Sequence, residues 1–376
     1  MSKQKLTLRI LAALLVIIVA GFASAGIEKS YEAHNNKVKN VIFLIGDGMG
    51  IAHISATQIA QHYEPLNMER AHYVGLQKTY SASNRVTDSA AAGTALSTGQ
   101  KTKNGMIGTT PDSLPITNIV ELSEQAGMAT GIIATYPVTH ATPAAFMSHS
   151  VNRNFQDDIA LYYLENEVDV VIGGGSKRFD QRADMVNLFD SLRSKGYVVA
   201  KELSEIEQIN KGKVFVTTAE DSMNSILHGR DESFLPDATA KALEILTNNS
   251  KGKGFFLMVE GSQIDGWAHQ NNVEGIITET KDFDNVVKVA FDYADTHPGT
   301  LVVVTADHGT GGLTIVNGNR TFDLNDHKVD YVWTTGGHTG EMVPVFAYGA
   351  GAENFAGVYE NTTIPQTMMR LLGLTK

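Results

Sequence analysis

The chain contains no cysteine. That absence excludes a thiol nucleophile, thiolate metal ligands, disulfides and a lipid-bearing cysteine, so any metal must be held by carboxylates, imidazoles and hydroxyls. Only 9 of the 376 residues are proline, and no Pro/Ser-rich linker, internal repeat or low-complexity tract interrupts the chain. Positive charge is scarce too. Thirty lysines and arginines stand against 41 aspartates and glutamates, for a formal net charge of −11. Such a surface excludes broad contact with nucleic acid or anionic lipid. The leading apolar run, Ile10 to Ala20, falls short of the roughly 20 residues that span a bilayer. Lys3, Lys5 and Arg9 precede it and Ala23-Ser24-Ala25 follows, so residues 1–25 read as a signal peptide rather than an uncleaved anchor. Its removal takes three positive charges and no negative ones, moving the net charge from −11 to −14. The expected destination is the periplasm or the exterior, with no membrane contact after cleavage. A disulfide-free exported chain must rely on its core, and residues 26–376 are long enough for a single catalytic domain.

What is present is regular. Short unbroken apolar runs occur at Asn40–Ile45, Ala129–Thr135, Val168–Ile172, Val214–Thr217, Gly254–Glu260, Thr300–Ala306 and Val343–Tyr348. Runs of this kind suit strands covered on both faces. Amphipathic segments lie between them, including Ile51–His62, Ile116–Gln125, Asp237–Thr247 and Glu274–Ala294. The alternation predicts an α/β three-layer sandwich, a mostly parallel central sheet with helices on both faces. Ligands in such folds bind beyond the carboxyl ends of the strands, and the polar residues gather there.

The first strand leaves through Gly46-Asp47-Gly48-Met49-Gly50. Its glycines are not spaced as a dinucleotide loop, and no Lys-Ser/Thr follows. Asp47 is either an Asx-turn residue or a carboxylate pushed out toward a metal. Thr87-Asp88-Ser89 opens a helix-like run of small residues. Asp88 or Ser89 can be its N-cap, and the same geometry can stabilise a serine alkoxide at the helix N-terminus. His140, Thr142 and Arg153 are weak signals singly. Glu260 ends an apolar strand, and Asp265 and His269, four apart, share one face of a helical turn. That spacing suits two ligands of one zinc. Asp307 and His308 end another strand, and His338 stands among glycines. Four carboxylates and three imidazoles so placed suit zinc, with a harder ion such as magnesium beside it.

Six segments resemble the alkaline phosphatases, in that family's order: NVIFLIGDGMG, VTDSAAAGTALSTG, THATPAAF with HSVNRN, EGSQIDGWAH, TADHGTGG and GGHTGEMVPVFAYG. The likeness runs from Asn40 to the C-terminus. The short spacing from His308 to His338 is similar to compact bacterial members with a reduced crown region. The resemblance implies Ser89 as a nucleophile that becomes phosphoserine, and two zinc ions and one magnesium ion per chain. Asp265, His269 and His338 would hold one zinc, and Asp47, Asp307 and His308 the other. Asp47 would bridge to a magnesium completed by Thr142 and Glu260. Arg153 would grip two phosphate oxygens, with His140 nearby. The implied reaction is hydrolysis of phosphate monoesters at alkaline pH, in a homodimer. Three divalent ions and Arg153 outweigh the four carboxylates, so an acidic protein can still concentrate positive charge for a phosphate dianion.

One position departs from the family. Gly266 stands where members carry Lys, His or Trp near the phosphate, and Trp267 is expected to fill that space. Among rivals, a sulfatase needs Cys or Ser within C/S-x-P-x-R, whereas Ser89 is followed by three alanines. A phosphoglycerate mutase uses similar metal sites. A phosphodiesterase of the same superfamily usually lacks an arginine at the position of Arg153. A non-catalytic exported phosphate- or metal-binding protein would have no use for a nucleophile.

Overall fold

A computed structural model describes residues 37–318 and 328–374. The expected signal segment, residues 1–25, lies outside the described residues. Eight strands are laid down before the polar C-terminal quarter: β1 (Asn40–Gly46), β2 (Tyr73–Lys78), β3 (Ala129–Pro137), β4 (Val170–Gly174), β5 (Tyr197–Ala200), β6 (Lys213–Thr217), β7 (Phe255–Gly261) and β8 (Thr300–Thr305). Four short ones follow: β9 (Gly309–Thr310), β10 (Leu313–Ile315), β11 (Tyr331–Trp333) and β12 (His338–Thr339). The last two are β13 (Val343–Gly349) and β14 (Gly357–Glu360). Ten form one sheet in the order β14-β2-β13-β8-β1-β7-β3-β4-β6-β5. Its pairings are parallel except where β13 runs against β2 and β8. The expected α/β sandwich is the observed fold.

The apolar runs explain the layers. In β1, Ile42 and Leu44 join the core on one face, while Val41, Phe43 and Ile45 join the core on the other. The first core is closed by the helices Phe234–Asn249 and Val273–Thr296. The helices Gln156–Glu165, Leu188–Ser194 and Thr363–Leu372 contribute to the second. Each fully buried large apolar side chain contributes about 1.5–3 kcal/mol. This packing also sets the site. Phe283 lies against Gly261, where an added Cβ would approach its ring to 2.8 Å, and so fixes the end of β7 just after Glu260. Truncating such a residue to alanine costs about 3–5 kcal/mol.

Strands β2, β5 and β14 were not foreseen. They lie at or near the sheet's edges, run only four to six residues and are partly exposed; β2 and β14 mix in polar residues and glycine, and the four apolar residues of β5 are too short a run to stand out. No described helix is long and apolar enough to cross a membrane.

Candidate metal and phosphoryl-transfer site

Strands β1, β3, β7 and β8 are neighbours in the sheet, and their carboxyl ends bring the predicted residues together. Asp47 follows β1, Glu260 lies in β7, and Asp307 and His308 follow β8. The helix Gln263–His269 starts directly after β7 and carries Asp265 and His269. His338 arrives through the short antiparallel pairing of β12 with β9, opposite Thr310. This stacks its ring on His308, with centroids 3.6 Å apart. The conformation after β1 demands glycine. Gly48 has φ +70°, and a Cβ there would come within 2.9 Å of both Asp265 and Thr310. Its N–H donates to Asp307 Oδ1 at 3.0 Å.

The inner part of the cluster is sealed from solvent. Asp47, Thr142, Glu260, Asp265, Asp307 and His308 are all buried, while His338 is half-buried and His269 is exposed. Both oxygens of Asp47, both of Glu260, Thr142 Oγ1 and Asp307 Oδ2 have no hydrogen-bond partner among the described residues. An Asx-turn would have occupied Asp47, so that reading is set aside. Buried unpaired carboxylate oxygens are costly unless a cation or a proton meets them. The pKa directions agree. Burial, then the charges of Asp307, Asp265 and Glu260, push Asp47 well up. Burial is also the main cause that raises Glu260 to about 7. Asp265 moves the other way. Burial opposes the shift, but the hydrogen bond from His269 and the nearby histidine charges hold it low.

The imidazoles are oriented by their outer nitrogens. His269 Nδ1 lies 2.7 Å from the Gly336 carbonyl, and His338 Nδ1 lies 2.9 Å from the Thr87 carbonyl. Carbonyls only accept, so both Nδ1 atoms carry hydrogen and both Nε2 atoms face the cluster. Thr310 does the same for His308. Its hydroxyl donates to Asp265 Oδ1 at 2.6 Å and accepts from His308 Nδ1 at 3.2 Å. The sequence reading missed Thr310. Its position two residues after His308, on the strand that pairs with His338, was the available signal.

Ser89 opens the helix Ser89–Thr98, and Asp88 is its N-cap, accepting from the Ala91 N–H at 3.0 Å. The serine is therefore left free of capping, with Oγ 3.2 Å from His308 Nε2. Asp88 also accepts from the Gly105 N–H and pairs with Arg153 at 3.2 Å. The other end of the guanidinium donates to His140 Nε2 at 3.2 Å. Arg153 and, through it, His140 are thus tied to Asp88, the residue that caps the helix of Ser89. Burial and then the Arg153 charge lower His140 to about 4.

Trp267 is the residue that the structure moves. It lies two positions after Asp265, about 200° around the helix, and points into the core beside His228, with ring centroids 5.2 Å apart. The space next to Gly266 is taken by Tyr136 instead.

Three donor groups emerge from this geometry: Asp265, His308 and His338; Asp47, Asp307 and His308; and Asp47, His140 and Glu260. The Nε2 of His269 adds to the first, 3.2 Å from both Asp265 Oδ2 and His338 Nε2. A serine at a helix N-terminus, facing carboxylates and imidazoles with an arginine alongside, makes this a hydrolase site of the metal-assisted phosphoryl-transfer class. The comparisons specify the family. The alkaline phosphatase family model matches residues 38–330 and 321–374. Alkaline phosphatase 3 of Bacillus subtilis is 33% identical, over 93% of this chain and 92% of that protein. The solved alkaline phosphatase of the Antarctic bacterium TAB5 is 36% identical with a TM-score of 0.84, over 91% of this chain and 99% of that one. A variant of it with magnesium bound in the M3 site is 35% identical with the same TM-score and coverage. The chain belongs to the alkaline phosphatase family, and it is an enzyme of phosphate monoester hydrolysis.

Proposed function

We propose that this chain hydrolyses phosphate monoesters through a phosphoserine on Ser89, at a site holding two zinc ions and one magnesium ion. The observation that carries the reading is the placement of Ser89 Oγ, uncapped at a helix N-terminus and 3.2 Å from His308 Nε2. Asp265, His269 and His338 would hold one zinc, and Asp47, Asp307 and His308 the second. Asp47, Thr142 and Glu260 would hold magnesium. The unpartnered buried oxygens of that last trio fit a hard cation, which prefers oxygen donors. That a variant of the similar TAB5 enzyme holds magnesium supports a magnesium ion in the set. When bound, such ions withdraw charge from phosphoryl oxygens and favour deprotonated serine and water.

The chain's own residues supply the rest. The helix dipole stabilises negative charge on Ser89 Oγ. Asp88 and His140 hold the Arg153 guanidinium at its two ends, and its remaining N–H groups can take two phosphate oxygens. Ser89 Oγ attacks phosphorus in line, and the bond to the ester oxygen breaks as the alcohol leaves. Water then attacks phosphoserine, which releases phosphate and restores Ser89. Rising pH favours both nucleophiles. The buried inner cluster and the exposed His269 support a leaving group that departs on the solvent side. The basic start and short apolar run of residues 1–25 support export to the periplasm or exterior, and the family supports a homodimer.

The test uses an aryl phosphate, an aryl diester and an acid quench. Rapid phosphate release from the monoester, with protein-bound phosphate trapped at acid pH and lost in Ser89→Ala, is expected. Full-rate hydrolysis by Ser89→Ala would overturn covalent catalysis, and a preference for the diester would overturn the substrate class.

A further inference from the structure

Gly266 is closed off by a single atom. A Cβ built on it would lie 2.3 Å from the Tyr136 hydroxyl. Tyr136 sits near the end of β3, its N–H held by Ser262 Oγ at 3.2 Å. Its ring stands edge-on to His140, with centroids 5.0 Å apart at 87°. His140 in turn meets Arg153. The half-buried tyrosine therefore runs from Gly266, next to Asp265, to His140, the partner of Arg153.

Its hydroxyl makes no hydrogen bond to the described residues and is not sealed from solvent, and phenylalanine would fill the apolar part equally well, so a donor stands open to a ligand in the site. Burial, and then the charges of Asp265, Asp47 and Glu260, raise its pKa. An ordinary phenol is a neutral donor near neutral pH.

We propose that Tyr136 is a specificity-determining residue of the phosphate site. Its hydroxyl donates to an outer oxygen of bound phosphate, from the space that Gly266 leaves without a side chain. This rests on the monoesterase reading given above. A neutral donor recognises a phosphate oxygen without adding charge, so it tightens binding only modestly. A net hydrogen bond of ordinary strength corresponds to about a two- to tenfold change in affinity.

The test compares the metal-loaded protein with Tyr136→Phe, using inorganic phosphate as the probe in calorimetry. Phosphate affinity should fall about two- to tenfold, with metal content and melting temperature unchanged. Unchanged phosphate affinity would overturn the proposal. A second measurement addresses the shared space. Gly266→Ala should lower the melting temperature in the native background and not in Tyr136→Ala, because the clash is with the tyrosine alone. Equal losses in both backgrounds would also overturn it. Monoesterase activity of the unaltered protein is measured first. Its absence would overturn the reading of the site, whereas unchanged phosphate binding by Tyr136→Phe in an active enzyme overturns only the role given to the tyrosine.

Discussion

The Nε2 atoms of His269 and His338 face each other at 3.2 Å, although both rings have committed their Nδ1 hydrogens to backbone carbonyls. Two lone pairs at that distance repel unless a proton or a cation lies between them. Asp265 resolves this in part, since its hydrogen bond to His269 raises that imidazole to about 9.

Metal removal should therefore destabilise the fold as well as stop catalysis. The donors come from β1, β7, β8, β12 and the helix after β7, so a bound ion ties segments far apart in sequence. Free ion at about 1,000 times its Kd would add about 4 kcal/mol. Scanning calorimetry with and without chelator should show a clear fall in melting temperature, restored by zinc. An unchanged melting curve would mean that the cluster does not bind metal.

Thr142→Val separates the cost of a buried hydroxyl from its use. Without metal, Thr142 Oγ1 is buried and unpartnered, and valine should be neutral or stabilising by about 1 kcal/mol. With metal, the variant should bind magnesium more weakly and recover activity only at higher magnesium. Magnesium affinity equal to that of the native protein would remove Thr142 from the site.

For Arg153→Ala, the two substrates report different things. A monoester dianion offers the guanidinium two free oxygens where a diester offers fewer and less charge. A charged hydrogen bond contributes about 1.5–3 kcal/mol, so kcat/KM for an aryl monoester should fall roughly ten- to a hundredfold or more. Trace activity on an aryl diester should barely change. Equal losses on both, with a lower melting temperature, would reduce Arg153 to a support for Asp88.

Glu124 offers a pH test far from the cluster. Burial first, and then Asp169 and Glu121, raise its carboxyl to about 7 from 4.5. A folded-state pKa above the unfolded one gives stability that is complete below pH 4.5 and lost as pH rises through about 7. Glu124→Gln should then stabilise the protein at pH 8–9 by about 1 kcal/mol, a figure reduced for partial solvent screening. At pH 4 it should have little effect. Thermal melts at the two pH values decide it, and an equal shift at both would refute the assignment.

The central strands were legible because burial on both faces leaves an unbroken apolar run, as in β1, β7 and β8. Edge strands left a weaker trace, four apolar residues in β5 and a mixed pattern in β14, and β2 became visible only through its pairing with β13. Within the site, residues whose chemistry is local were readable. Asp265 and His269 share a helix face by spacing alone, and Asp307 and His308 stand at a strand end. Roles created by tertiary approach were not readable. Thr310 bridges His308 and Asp265, and Asp88 joins the helix cap to Arg153, through contacts that no spacing encodes. Trp267 misled because adjacency in sequence was taken for adjacency in space, while a helix turns successive residues to different faces.

The position of β1 has a consequence for how the chain is made. Val41 pairs with Phe256 on one side and with Leu301 on the other. A ribosome finishes β1 first and its neighbours more than two hundred codons later. Throughout that interval an apolar strand of high β-propensity has neither partner, a state open to mispairing with other chains. Asp47 waits with it, since most of its cluster has yet to be translated. A nascent or truncated chain is thus an inactive one, and catalytic competence arrives only when the C-terminal third closes around the oldest strand.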